Sequence, residues 1–210
     1  MWRFSCFGLF LLSILQLECT KEKLPAEALP WELNAGGDQV VFLPTATARM
    51  AATIVNSKND LATFQWLQIS GPAAATFENP QQANTAIGNL REGIYELELT
   101  ARLEALIKKD TIRIRVIQPV YEQGSVTLKG LPWNCHWGCN IDVGDITMFL
   151  PADRGLLHVE YRERDDELWL QIPPFPVNFY MRYSLQQTFL TLTNRRDNKE
   201  GMTGQIRLLY

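Results

Sequence analysis

The chain has 210 residues, 46% hydrophobic and 20% charged, with a formal net charge of −3. This composition excludes a disordered polymer and supplies no basic field to hold a phosphate backbone, so nucleic acid is not expected as a partner. Only two histidines and four cysteines are present, which leaves few options for acid–base or metal chemistry.

In chain order, the first element is an export signal. Arg3 precedes the apolar run SCFGLFLLSILQL at 5–17, which is too short to span a bilayer as a helix. The stretch LQLEC ends at Cys19 and resembles the lipobox of bacterial lipoproteins. That resemblance implies acylation of Cys19 and a membrane partner through a lipid anchor. Ordinary cleavage without lipid is the alternative. Residues 20–33, polar with two prolines, are expected to form a tether.

The remaining chain predicts an all-β protein. Short alternating segments follow at 39–43, 47–55, 62–69, 84–90, 94–103 and 110–119. The alternation puts Tyr95, Leu97 and Leu99 on one face. It also points Ile112, Ile114 and Val116 inward, with Arg113 and Arg115 outward. The run FQWLQISGPAAATFEN at 64–79 places Trp66 on a strand before a Ser70-Gly71-Pro72 corner.

These residues carry a resemblance. Asn34 to Gln39, Trp66 with Ser70 to Pro72, Leu90 to Tyr95 and Asp110 to Val116 resemble, in order and spacing, a PKD-type (polycystic-kidney-disease) immunoglobulin-like module. The match spans about 34–118. It implies a β-sandwich with Trp66 in the core, and a role as a spacer or binding accessory in extracellular proteins. Where the family often carries an acid, sometimes near calcium, this chain has Arg102, so Asp38 alone does not make a metal site.

Residues 119–210 alternate again, in GSVTLKG, DITMFL, LLHVEYRE, ELWLQI, NFYMRYS, TFLTLT and GQIRLLY. They predict a second small antiparallel β-sandwich or barrel, in which no family pattern is recognised. The loop LPWNCHWGCN carries Cys135 and Cys139, expected to be disulfide-bonded in an exported protein. A metal site with His136 is the sharper alternative, but it lacks ligands. No metal and no cofactor are expected.

Exposed aromatics on stiff loops make platforms for sugar rings. Trp133, His136 and Trp137 in this loop, Phe175 in a proline-rich loop and Trp169 on a strand are therefore the candidate ligand-binding residues. Trp169 runs in opposite phase to Leu168, Leu170 and Ile172, so it faces outward if those three face inward. Asn134, Asn140, Asp142 and Asp145 are polar neighbours suited to hydroxyls. Capping of the sandwich core by Trp133 and Trp137, or a protein interface, are the other readings of the loop.

Carboxylates from Asp142 to Glu167 are plentiful, but the chain lacks a nucleophile elbow, a zinc-protease helix and a phosphate loop. The sequence therefore points to a non-catalytic, exported, lipid-anchored surface or periplasmic protein that binds a glycan or an envelope protein. A structural subunit of a cell-envelope complex is the alternative.

Overall fold

The computed structural model describes residues 31–55, 62–103, 105–135, 139–174, 181–194 and 198–210. The expected export signal, Cys19 and most of the expected tether lie outside the described residues. The end of that tether is structured: Trp31 is buried, and Glu32–Asn34 forms strand β1.

β1 pairs with β4 (Thr53–Val55). A four-stranded sheet follows the order β2 (Gln39–Phe42), β9 (Leu106–Ile117), β8 (Gly93–Leu103), β5 (Thr63–Ser70). It faces a three-stranded sheet of β3 (Ala48–Ala51), β7 (Asn84–Gly88) and β6 (Thr76–Phe77). Strands β8 and β9 pair along their whole length. Their period-two pattern sorts as expected: Tyr95, Leu97, Leu99, Ile112, Ile114 and Val116 are buried, and Arg113 is exposed. The segment at 47–55, expected as one strand, is divided at Ala52 between β3 and β4, which join different sheets.

Trp66 lies at the centre of this first core. Its backbone N–H donates to the Pro80 carbonyl (2.8 Å), and its indole N–H is shared between the carbonyls of Gln82 (3.1 Å) and Ala83 (3.3 Å). The first bond caps an exposed donor of the edge strand β5, and the second satisfies a buried donor. The Ser-Gly-Pro corner is pinned by Gln68, whose amide donates to Ala73 O (2.8 Å) and accepts from Ala75 N (2.9 Å). Gly71 is required there by close approach, since a Cβ would lie 2.5 Å from the Tyr95 ring. The Tyr95 hydroxyl accepts the Arg91 N–H (2.9 Å), tying a core residue to the turn before it.

The second half is also built of two sheets. One has five strands in the order β10 (Val120–Glu122), β11 (Ser125–Pro132), β17 (Thr203–Leu209), β13 (His158–Arg162), β14 (Leu170–Ile172). The other has β12 (Cys139–Asp145), β16 (Phe189–Asn194) and β15 (Met181–Gln186). The segment DITMFL, expected as a strand, is instead a 3-10 turn at Ile146–Met148. Asp145 causes the difference: its carboxylate accepts from the backbone N–H (3.0 Å) and the hydroxyl (2.8 Å) of Thr147, capping the turn. The strand lies just upstream, in CNIDVGD.

The two halves meet through strand β2. Val41 packs into the first core, while Phe42 and the partly buried Val40 belong to the second. At the end of β9, Val116 and Ile117 divide in the same way. Register confirms the division, since Val40 pairs with Arg115, Val41 with Val116 and Phe42 with Ile117. The Phe42 ring meets the Phe149 ring edge-on at 5.0 Å, just after the 3-10 turn.

Candidate functional site

The disulfide between Cys135 and Cys139 is present. It closes a hairpin whose base is the reciprocal pair Asn134 N to Asn140 O and Asn140 N to Asn134 O, both 2.8 Å. His136, Trp137 and Phe175 lie outside the described residues.

Trp133 does not stand out as an open platform. It is 5% exposed and belongs to the second core. Its backbone N–H donates to Met202 O (3.1 Å), and its indole N–H donates to the Tyr161 hydroxyl (3.2 Å). The two rings meet edge-on at 5.6 Å. Burial pushes the Tyr161 phenol well above its ordinary value, so it stays neutral and able to bond. This is the core-capping geometry that the loop sequence allowed. A ring so enclosed cannot offer its face to a sugar.

Trp169 faces outward, but the reasoning from its neighbours holds only in part. Ile172 is buried, whereas Leu168 and Leu170 are exposed, because β14 is the edge of its sheet and short of cover. The Trp169 ring lies under two guanidiniums, Arg162 at 4.4 Å and Arg207 at 4.5 Å. Arg207 ion-pairs with Glu160, and Arg162 with Asp165 (2.8 Å). Lys129 reaches the same Asp165 oxygen (2.8 Å) and, by hydrogen bonding to it, holds the carboxyl below its usual range. The outer face of the five-stranded sheet is therefore a charged lattice with an aromatic ring set into it.

The two described tryptophans of the candidate set lie on opposite faces of one sheet. Trp133 touches Tyr161 inside, and Trp169 touches the next residue, Arg162, outside. They do not form one site. The polar neighbours are also engaged: the Asp142 carboxylate accepts from the Thr191 hydroxyl (2.9 Å), and Asp145 caps the 3-10 turn. Most acids considered for catalysis are similarly occupied. Glu163 pairs with Lys199, while Asp166 and Glu167 pair with Arg164.

Sequence reasoning missed two grooves. One, of about 640 Å³, opens at the β14 side and is lined by Leu157, His158, Leu170, Ile172, Met181 and Tyr183. The other, of about 270 Å³, lies where the two halves meet; Val40, Ile94, Arg113, Arg115, Pro132 and Met202 contribute to its lining. The only signal for the second was the unbroken apolar run Val40-Val41-Phe42, which marks a strand buried on both faces. No helix among the described residues is long and apolar enough to cross a membrane.

Comparison with known proteins places the first half. Residues 35–116 match the family model described as K319L-like, PKD domain. Similar solved structures include the PKD domain from the KIAA 1837 protein, at 22% identity over 41% of this chain and 85% of that one (TM-score 0.37). The PKD domain (329–428) from human KIAA0319 is 16% identical over 42% and 81% of the two chains (TM-score 0.39). Extracellular domains 3–5 of Drosophila OTK are 12% identical over 85% and 57% (TM-score 0.34). No curated protein matches the chain.

Proposed function

We infer from the PKD-type module at residues 35–116 and the sandwich built onto it that this is a non-catalytic, exported binding protein. The first module serves as the spacer, and the second presents the ligand surface. Acylation of Cys19 anchors the chain at the outer surface or in the periplasm. The ligand is a carbohydrate or a protein of the cell envelope. The observation that carries this reading is Trp169, an outward aromatic held in place by Arg162 and Arg207 on the open face of the five-stranded sheet. An indole fixed in this way loses little freedom on binding, which favours stacking against a flat partner. Its flanking ion pairs offer donors and acceptors for hydroxyls. Trp137, His136 and Phe175 remain part of the proposed surface. Trp133 supports it from within.

The test is a binding screen of residues 20–210 against soluble and insoluble glycans. Wild type is compared with Trp169→Ala and with a His136→Ala/Trp137→Ala variant. Glycan binding lost in either variant supports the reading. Retention in both moves the ligand surface elsewhere.

A role as a subunit of an envelope assembly has its own observation. Leu157, Leu168 and Leu170 are 71%, 93% and 58% exposed on the β14 side of the second sandwich. Apolar side chains so exposed are typical of contact surfaces. Cross-linking in native membranes that captures one defined protein through this rim, with no glycan affinity, favours assembly.

A further inference from the structure

The groove between the two modules contains a guanidinium that no carboxylate among the described residues pairs with. Among the described residues, the half-buried arginines are Arg115, Arg162 and Arg207. Arg162 and Arg207 each hold a carboxylate. The Arg115 guanidinium has neither an ion pair nor a hydrogen bond. It leaves β9 on the face opposite the Trp66 core, in register with Ile94 of β8 and Val40 of β2. Gly130 lies beside its guanidinium: a Cβ there would sit 3.6 Å from Nη1. That glycine occupies the β-bulge of β11 with a φ of +72°, so the bulge turns backbone rather than a side chain toward the arginine. Burial lowers the guanidinium from its ordinary value, the mark of partial desolvation without a compensating charge.

One acid, Asp38, lines the same groove. The Asp38 carboxylate accepts the Arg113 backbone N–H at 2.8 Å. Arg113 stands at the same groove with its own carboxylate partner, Glu96, at 3.7 Å. A guanidinium is a planar fork of donors matched to the two oxygens of a carboxylate. Beside the fork, Val40, Ile94, Pro132 and Met202 provide apolar wall, and Asp38 is among the polar residues that line the rest.

We propose that Arg115 and this groove recognise the terminal carboxylate of a peptide, with the apolar wall receiving its last side chain. A sugar acid fits the charge but would set several ring hydroxyls against the apolar wall without partners. A chain end needs one anion contact and one apolar contact, which is what the groove supplies. The inference rests on the reading of the chain as a binding protein, and it is independent of the Trp169 surface and of the lipid anchor.

The test uses residues 20–210 and acetyl-Ala-Ala-Ala-Leu as the free acid and as the C-terminal amide, by calorimetry at low salt. The acid is expected to bind at least about tenfold more tightly than the amide, as for a bidentate charged contact. Arg115→Gln should abolish that preference while melting like wild type, because no ion pair or side-chain hydrogen bond is lost. Arg115→Lys should keep only part of the preference. Equal affinity for acid and amide, or binding of neither, overturns the site. So does an unfolded Arg115→Gln, which would make the residue structural. Binding of galacturonate through Arg115 without binding of the peptide acid overturns the choice of ligand. If the peptide acid is silent while the glycan screen succeeds, this site fails and the proposed function stands; silence in both removes both.

Discussion

The two sandwiches are built on parallel lines and differ in what each needs from the other. Each packs a tryptophan in its core and a tyrosine against a glycine: Trp66 with Tyr95 and Gly71 in the first, Trp133 with Tyr161 and Gly204 in the second. The first closes on itself, and the buried residues of its core cluster all come from 35–116. The second includes Phe42 and Ile117, with Val40 against them, all from the first. Dependence between the modules therefore runs one way. A first module that also completes the core of the second holds it in one orientation.

Substitutions can break or sharpen this asymmetry. Trp66→Ala should cost the most, about 3–5 kcal/mol, and it should lower protection in both modules, read by amide hydrogen exchange on strands β8 and β17. Trp133→Ala should cost a similar about 3–5 kcal/mol, but with the loss confined to the second module. Equal loss in both modules from Trp133→Ala would break the comparison. Phe42→Ala tests the junction itself. It sits on a strand of the first module, yet it should expose the amides of β11 and β17 before those of β8.

Gly204→Ala comes next. Its Cβ would lie 2.4 Å from the Tyr161 ring and 3.1 Å from Ile141, so the ring must move. Overpacking of this kind costs about 1–3 kcal/mol and should disturb the indole–phenol bond of Trp133, visible as a change in tryptophan fluorescence. The smallest effect is expected at Asp165, an exposed carboxylate held below its usual range mainly by its hydrogen bond from Lys129. A depressed value stabilises the fold above the unfolded value of about 3.9. That contribution is lost as pH falls through the lower folded value. Asp165→Asn should therefore melt slightly below wild type at neutral pH, with the gap closing in acid and in high salt.

How far the sequence could be read follows the same division. Over most of their length strands β8 and β9 have one solvent face and one core face, so their period-two alternation identified the buried set correctly, Ile112, Ile114 and Val116 included. In β11, Ser125 through Leu128 are buried in succession, so alternation carries no information there. Trp66 was identifiable as core because it sits on an alternating strand before a turn. Trp133 was legible only as one of several readings, a cap on the core among them, because its Pro, Gly and Cys neighbours also suit a surface loop, and only the distant Tyr161 shows that the ring turns inward. The 3-10 turn after Asp145 was hidden by an apolar run that looks like a strand. The groove at Arg115 was invisible for a different reason. Arg115 was placed outward correctly, but what lies outside it is the second module, and no local pattern reports that.

The most direct test of the one-way dependence is to produce residues 31–118 and 119–210 separately and compare their unfolding with that of 31–210. The account predicts that 31–118 unfolds cooperatively on its own. It predicts that 119–210, lacking Phe42 and Ile117, is unfolded or melts well below its transition in the joined chain. If 119–210 alone melts at the same temperature as in the full chain, the second core does not need the first module, and the one-way dependence is wrong.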